Sequence, residues 1–256
     1  MKKTVIIVAV SLLLCVTLTA CLRGNVNDYM DGILAGRNDE SDRLVNDVGQ
    51  DAVLSNMIVN VTHYKKGLAE RIESQGSGVI YRADEKYLYV LTNHHVVTDV
   101  LVSYSVYTLI DAYDNKHTAT LVAKDAAYDL AVLRIPKNEY TERLKLATLA
   151  TSVSDETLKS IRVLAVGNPE GVHNTVTVGK LIAVEDIESD ELNIEVFYHT
   201  APLDHGSSGG GVFNAEGYLV GINYAIGEDT DSGVSISFAV PVKHVRAFLQ
   251  ANNLLP

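Results

Sequence analysis

The sequence predicts an all-β protein built as two barrel-like halves and finished by a C-terminal helix. Short apolar runs recur along most of the chain, separated by Gly, Asn and Asp. Many short strands at regular spacing are the pattern of β-sandwiches and barrels. The runs form two sets with a break at 148–159, and an amphipathic stretch follows Pro241. With 256 residues and 47% hydrophobic content, the chain can fill one large core or two fused small ones.

The chain opens Met1-Lys2-Lys3 and continues apolar to Ala20. A basic start followed by an apolar stretch reads as a secretory signal over residues 1–20. The segment ends Leu18-Thr19-Ala20-Cys21, which resembles the lipobox of bacterial lipoproteins. That resemblance implies cleavage before Cys21 and lipidation of Cys21. The alternative is an uncleaved signal anchor, for which an apolar stretch of roughly 17 residues is short. Both place the rest of the chain outside the cytoplasm, tethered to a bacterial cell membrane. Cys15 is the other cysteine, so the chain beyond Cys21 has no internal disulfide and must rely on its core. Residues 21–50 are polar and acidic, with Asp28, Asp31, Asp39, Glu40, Asp42 and Asp47, and read as a spacer.

The folded domain is expected over 51–256. Its first half, 51–150, holds apolar runs at 57–62, 78–81, 87–92, 101–110, 118–123 and 130–135. The second half, 151–256, holds runs at 161–166, 175–184, 194–200, 211–213, 218–223 and 235–240. The 211–213 and 218–223 runs flank Asn214-Ala215-Glu216-Gly217, a hairpin signal. Pro241 is suited to open a helix reaching about residue 252. Val242, Val245, Phe248 and Leu249 fall on one face of it, to pack on the second barrel. No sequence repeat is visible. The formal charge of −11 argues against nucleic acid or anionic lipid as an electrostatic partner.

Three short segments carry the chemistry: Thr92-Asn93-His94-His95-Val96-Val97, Asp129-Leu130-Ala131-Val132-Leu133 and Gly206-Ser207-Ser208-Gly209-Gly210. A histidine, an aspartate and a glycine-flanked serine in that order suit a chymotrypsin-type catalytic triad. A serine hydroxyl is a weak nucleophile at neutral pH and needs a base, and the base needs a partner that fixes its tautomer. Ser208 is predicted as nucleophile, His95 as base and then acid, and Asp129 as the orienting carboxylate. Gly206 and Gly209 lack a Cβ and let the backbone turn close to a substrate carbonyl. The N–H groups of Gly206 and Ser208 are the predicted oxyanion hole, each worth roughly 3 kcal/mol in the transition state. A metal reading of His94-His95 is disfavoured, because neighbours on a strand point to opposite faces and no Cys or carboxylate lies at ligand spacing. No metal and no cofactor is expected.

At these residues the chain resembles the HtrA/DegP-like group of trypsin-like serine peptidases. The resemblance runs from Gly76-Ser77-Gly78 through the three segments above, Gly167-Asn168-Pro169, Gly221-Ile222-Asn223 and Phe238-Ala239-Val240-Pro241. It implies two perpendicular Greek-key barrels of the chymotrypsin type, with His95 and Asp129 on the first and Ser208 on the second. It identifies His95 over His94, because the base precedes a small apolar pair such as Val96-Val97. It implies polypeptide substrates, a small or medium apolar residue before the cut, and a homo-oligomer, commonly a trimer. The substrate pocket is expected around Pro202, Ile222, Asn223 and Tyr224. Ser207 and Gly211 depart from the family's usual Gly-Asn-Ser-Gly-Gly-Pro, and Asp204-His205 stands where Asn-Pro is common. HtrA proteins generally carry PDZ domains after the protease, and the residues after Pro241 are too few for one. The resulting expectation is a tethered endopeptidase acting on unfolded or specific proteins. A catalytically silent binding or chaperone module is the alternative.

Overall fold

The computed structural model describes residues 45–65, 71–99, 102–151, 161–188, 193–228 and 235–256. The predicted signal, Cys21 and residues 22–44 of the predicted spacer lie outside the described residues. Ahead of the first strand come a helical turn, Val45–Gly49, and α1, Gln50–Ser55. Val45 and Val48, from the segment read as spacer, are buried together with Ala52, Val53 and Leu54.

Six strands close the first barrel: β1 (Asn56–Lys65), β2 (Arg71–Ala83), β3 (Tyr87–Thr92), β4 (Val102–Ile110), β5 (Lys116–Asp125) and β6 (Leu130–Pro136). Their order is β1-β2-β3-β6-β5-β4, with β4 returning to β1. Side chains alternate across a strand, and β3 and β6 use both faces. Leu88, Val90, Ala131, Leu133 and Ile135 fill the barrel with Met57, Val59, Val61, Ile80 and Leu109. Tyr89, Leu91, Leu130 and Val132 join the larger core shared with the second half. That is why these two runs read as apolar throughout.

The second half holds β8 (Arg162–Gly167), β9 (Thr175–Glu188), β10 (Asn193–His199), β11 (Gly211–Asn214), β12 (Tyr218–Glu228) and β13 (Ser235–Pro241). They run β11-β8-β9-β10-β13-β12, and a β11–β12 pairing closes the ring. A two-residue strand within the predicted break, β7 (Thr148–Leu149), pairs in parallel with β12. Numbered from its own first strand, each ring has the same neighbour order, 1-2-3-6-5-4. The topology therefore repeats where the sequence does not.

The C-terminal helix, α3 (Val242–Ala251), buries the four predicted residues Val242, Val245, Phe248 and Leu249 in the shared core. The chain beyond it also reaches the first barrel, where Tyr81 Oη donates to the Leu254 carbonyl at 3.2 Å. The C-terminal segment therefore joins both halves, whereas the sequence reading assigned it to the second alone.

Candidate active site

The predicted base and orienting residues sit at the ends of adjacent strands. β3 pairs antiparallel with β6, so residues just after Thr92 face those just before Leu130. His94 and His95 do not continue a strand. They lie in one helical turn, α2 (His94–Val97). This corrects the strand argument used against a metal pair.

Asp129 adopts a positive φ of 48°, a conformation non-glycine residues seldom hold without support. Its own N–H donates to the Ala126 carbonyl at 3.2 Å, and three further hydrogen bonds come from residues 93 and 95. The His95 backbone N–H donates to Asp129 Oδ1 at 2.9 Å, and His95 Nδ1 lies 2.7 Å from Asp129 Oδ2. Asn93 Nδ2 donates to the Asp129 carbonyl at 2.9 Å. A carboxylate only accepts, so Nδ1 carries a proton, and in the neutral ring Nε2 keeps its lone pair. The Asp129 side chain is 8% exposed against 47% for His95. The carboxylate is thus shielded while the imidazole stays reachable.

Ser208 comes from the loop between β10 and β11. Its hydroxyl donates to the Tyr224 carbonyl at 3.1 Å. The Tyr224 ring lies edge-on to His95, with centroids 6.0 Å apart. Tyr224 is thus the element that Ser208 and His95 share. The β12–β13 register shifts between Asn223 and Ala225, so Tyr224 stands at a bulge, out of the ladder.

The Ser208 loop is tied down on several sides. Ser77 on β2 donates from its N–H to the Ser208 carbonyl at 2.7 Å and from its hydroxyl to the Gly206 carbonyl at 2.7 Å. The same hydroxyl accepts from Asn168 N at 2.8 Å and Asn168 Nδ2 at 3.1 Å. Asn223 braces the loop through its own N–H to Gly210 O and through its carbonyl, which accepts from Gly209 N. The Glu170 N–H donates to the His205 carbonyl at 2.6 Å. A trans peptide is planar, so the Gly206 N–H points the opposite way, away from Glu170. Among the described residues, neither the Gly206 nor the Ser208 amide donates to a protein acceptor.

The predicted pocket residues do not converge. Pro202 lines a cavity of about 360 Å³, together with Leu203, Asp204, Ser207, Gly167, Glu170, Val172 and Thr177. Ile222 and Asn223 are fully buried, so they line no open cavity, and Tyr224 turns toward His95. The Ile222 side chain packs in the shared core, and the Asn223 side chain is buried beside His199. Sequence reasoning missed the roles of Ser77 and Asn168. Their only signal was membership of Gly76-Ser77-Gly78 and Gly167-Asn168-Pro169.

Residues 76–222 match the family described as trypsin-like peptidase domain. A probable DegP-like periplasmic serine endoprotease of Buchnera aphidicola subsp. Baizongia pistaciae is 34% identical over 179 residues, covering 68% of this chain and 36% of that one. The periplasmic serine endoprotease DegP of Escherichia coli K12 is 35% identical over 183 residues, covering 70% and 36%. Among solved structures, a serine-to-alanine variant of the HtrA-type protease AlgW with tripeptide superposes with a TM-score of 0.63 at 29% identity, covering 83% of this chain and 63% of that one. The chain belongs to the trypsin-like peptidases, with DegP and other HtrA-type proteases among its relatives. It spans about a third of the length of the curated relatives named above.

Proposed function

We propose that the chain is an extracytoplasmic serine endopeptidase using His95, Asp129 and Ser208. The observation that carries this is the 2.7 Å contact from His95 Nδ1 to Asp129 Oδ2, with Ser208 on the glycine-rich loop beside the same tyrosine. A turn of the Ser208 hydroxyl from the Tyr224 carbonyl to His95 Nε2 makes it a nucleophile. Attack on a peptide carbonyl forms the Ser208 Oγ–C bond, and the proton moves to Nε2. Collapse of the tetrahedral intermediate returns that proton to the leaving amine and leaves an acyl-enzyme. Asp129 holds the ring in the required tautomer and stabilises the imidazolium. The unengaged amides of Gly206 and Ser208 receive the oxyanion. The Tyr224 carbonyl, out of the ladder, accepts an N–H from the substrate main chain.

Substrates are unfolded proteins or one dedicated polypeptide, cut after a small or medium apolar residue. The periplasmic relatives support an extracytoplasmic location. The Leu18-Thr19-Ala20-Cys21 segment supports a lipid anchor on Cys21, and Cys21→Ser would then release the chain from the membrane fraction.

A fluorophosphonate probe tests the triad without a known substrate. The full-length chain is expected to label, and Ser208→Ala and His95→Ala to lose the label. A folded chain that takes no label favours the catalytically silent binding module. The hydroxyl's bond to the Tyr224 carbonyl is the observation behind that second reading.

A further inference from the structure

His63, Ser74 and Ser105 come from β1, β2 and β4 of the first barrel, and the triad chemistry uses none of them. Strand register brings them together. His63 stands directly opposite Ser105, and Ser74, opposite Val61, is its diagonal neighbour on the other side. His63 is 1% exposed. Its Nδ1 lies 2.8 Å from Ser105 Oγ and its Nε2 lies 3.4 Å from Ser74 Oγ. Ser74 Oγ in turn donates at 2.8 Å to the carbonyl of Val96, the residue after His95.

Donor counting gives the direction of this chain. Ser74 has one hydroxyl proton, and the Val96 carbonyl takes it. The contact with His63 must therefore run from Nε2–H to Ser74 Oγ. In the neutral ring Nδ1 is then an acceptor, and Ser105 donates to it. Burial pushes the His63 pKa down, with Lys65 and Lys124 adding to the effect and Asp99 opposing it, which favours the neutral ring. The receiving carbonyl belongs to a single helical turn, whose carbonyls have no partner within the helix. The Val96 side chain is itself buried against β2, within 2.8 Å of the place a Cβ on Gly76 would occupy.

We propose that Ser74 is a positioning residue for His95, oriented by His63 and Ser105 through this one-way chain of hydrogen bonds. Asp129 fixes the imidazole ring, and Ser74 fixes the backbone turn that carries it. The role rests on the reading of His95 as the base. Misplacing a catalytic group by about 1 Å can cost on the order of 100-fold in rate.

The test uses the full-length chain with Ser74→Ala, Ser74→Thr, Ser105→Ala, the Ser74→Ala/Ser105→Ala double variant and His95→Ala. Fluorophosphonate labelling rates, kcat and KM on an apolar-P1 peptide, melting temperatures and ¹⁵N-histidine NMR spectra are measured. Ser74→Ala is expected to lower kcat and labelling by about 10- to 100-fold while KM stays nearly constant. Ser74→Thr restores most of the loss, since it keeps the hydroxyl. Ser105→Ala has a smaller effect that disappears in the Ser74→Ala background. Wild-type labelling by a folded Ser74→Ala chain overturns the proposal, and so does a threonine variant no better than alanine. Equal labelling of the wild type and His95→Ala would remove the reading of His95, and the NMR arm would then decide. His63 must show the Nε2–H tautomer and Ser74→Ala must move the His95 ring signals. An Nδ1–H tautomer at His63 overturns the chain whatever the activity.

Discussion

Ser77 Oγ donates a 2.7 Å hydrogen bond to the Gly206 carbonyl, and this bond crosses from the first barrel to the Ser208 loop of the second. The hydroxyl donates once and accepts twice, from Asn168 N and Asn168 Nδ2, so its capacity is full. Ser77→Ala leaves the fully buried Asn168 amide and the Gly206 carbonyl without this partner. The expected cost is about 2 kcal/mol or more, from stranded buried groups. A Gly206 peptide held less firmly lowers fluorophosphonate labelling by about 10- to 100-fold. Urea unfolding and labelling on the same variant check both, and unchanged labelling would remove the link between Ser77 and the oxyanion site.

Asp129→Asn keeps the shape of the site and reverses its tautomer preference. An amide nitrogen placed at Oδ2 would donate toward Nδ1, and the ring proton would then sit on Nε2, where it cannot accept one from Ser208. The expected loss in kcat is on the order of 1,000- to 10,000-fold, with the melting temperature little changed. A loss below tenfold would remove Asp129 from its proposed role.

Gly209 and Gly217 have similar φ values, +87° and +82°, but different surroundings. A Cβ on Gly209 would lie 2.1 Å from the Ser77 carbonyl oxygen and 2.4 Å from Thr92 Oγ1. One on Gly217 would meet nothing closer than 3.8 Å. Gly217→Ala should therefore cost only the left-handed strain of about 1–2 kcal/mol, with labelling unchanged. Gly209→Ala should push β2 and the Ser208 loop apart and abolish labelling. Equal labelling of the two variants would mean that the contact between the barrels does not set the site.

The runs that became strands were legible because period-2 alternation and turn residues are local signals. Residues 87–92 matched β3 at both ends. The helical turn at His94 and the helix at 50–55 were not legible, because each is too short to show a 3.6-residue period. Most of the length of β2 escaped because Arg71, Glu73 and Gln75 hide it, while its ladder to β1 runs the whole way. His95 and Asp129 were readable from motif and order, and strand pairing brings them together. Ser77 was not, because its importance lies in contacts with Gly206, Ser208 and Asn168, far away along the chain. The burial of Ile222 and Asn223 was not legible for a related reason. The resemblance implied a pocket around these positions, and their side chains turn inward, Ile222 into the shared core and Asn223 toward His199.

His199, buried beside Asn223, sets an acid limit on the fold. It sits on β10 opposite Ser237 and Leu181, beside the Phe197 ring, and is fully buried. Neither ring nitrogen has a hydrogen-bond partner among the described residues. Burial pushes its pKa down to about 4, and the neighbouring Asn223 amide opposes the shift without a well-aligned hydrogen bond. The sign follows from linkage. In the unfolded chain this histidine takes up a proton near pH 6.5, while the folded chain refuses it until about pH 4. Stability is therefore full above pH 6.5 and falls as the pH drops from 6.5 to about 4, by about 3 kcal/mol in all. Asn223 holds the loop through Gly209 and Gly210, so the loss reaches the site as well as the core. His63 contributes in the same direction, and a difference measurement isolates His199. Urea unfolding at pH 7, 6, 5 and 4.5 is expected to show a shallower fall in stability for His199→Leu than for the wild type. Parallel curves would mean that His199 is already protonated in the fold or is reached by water.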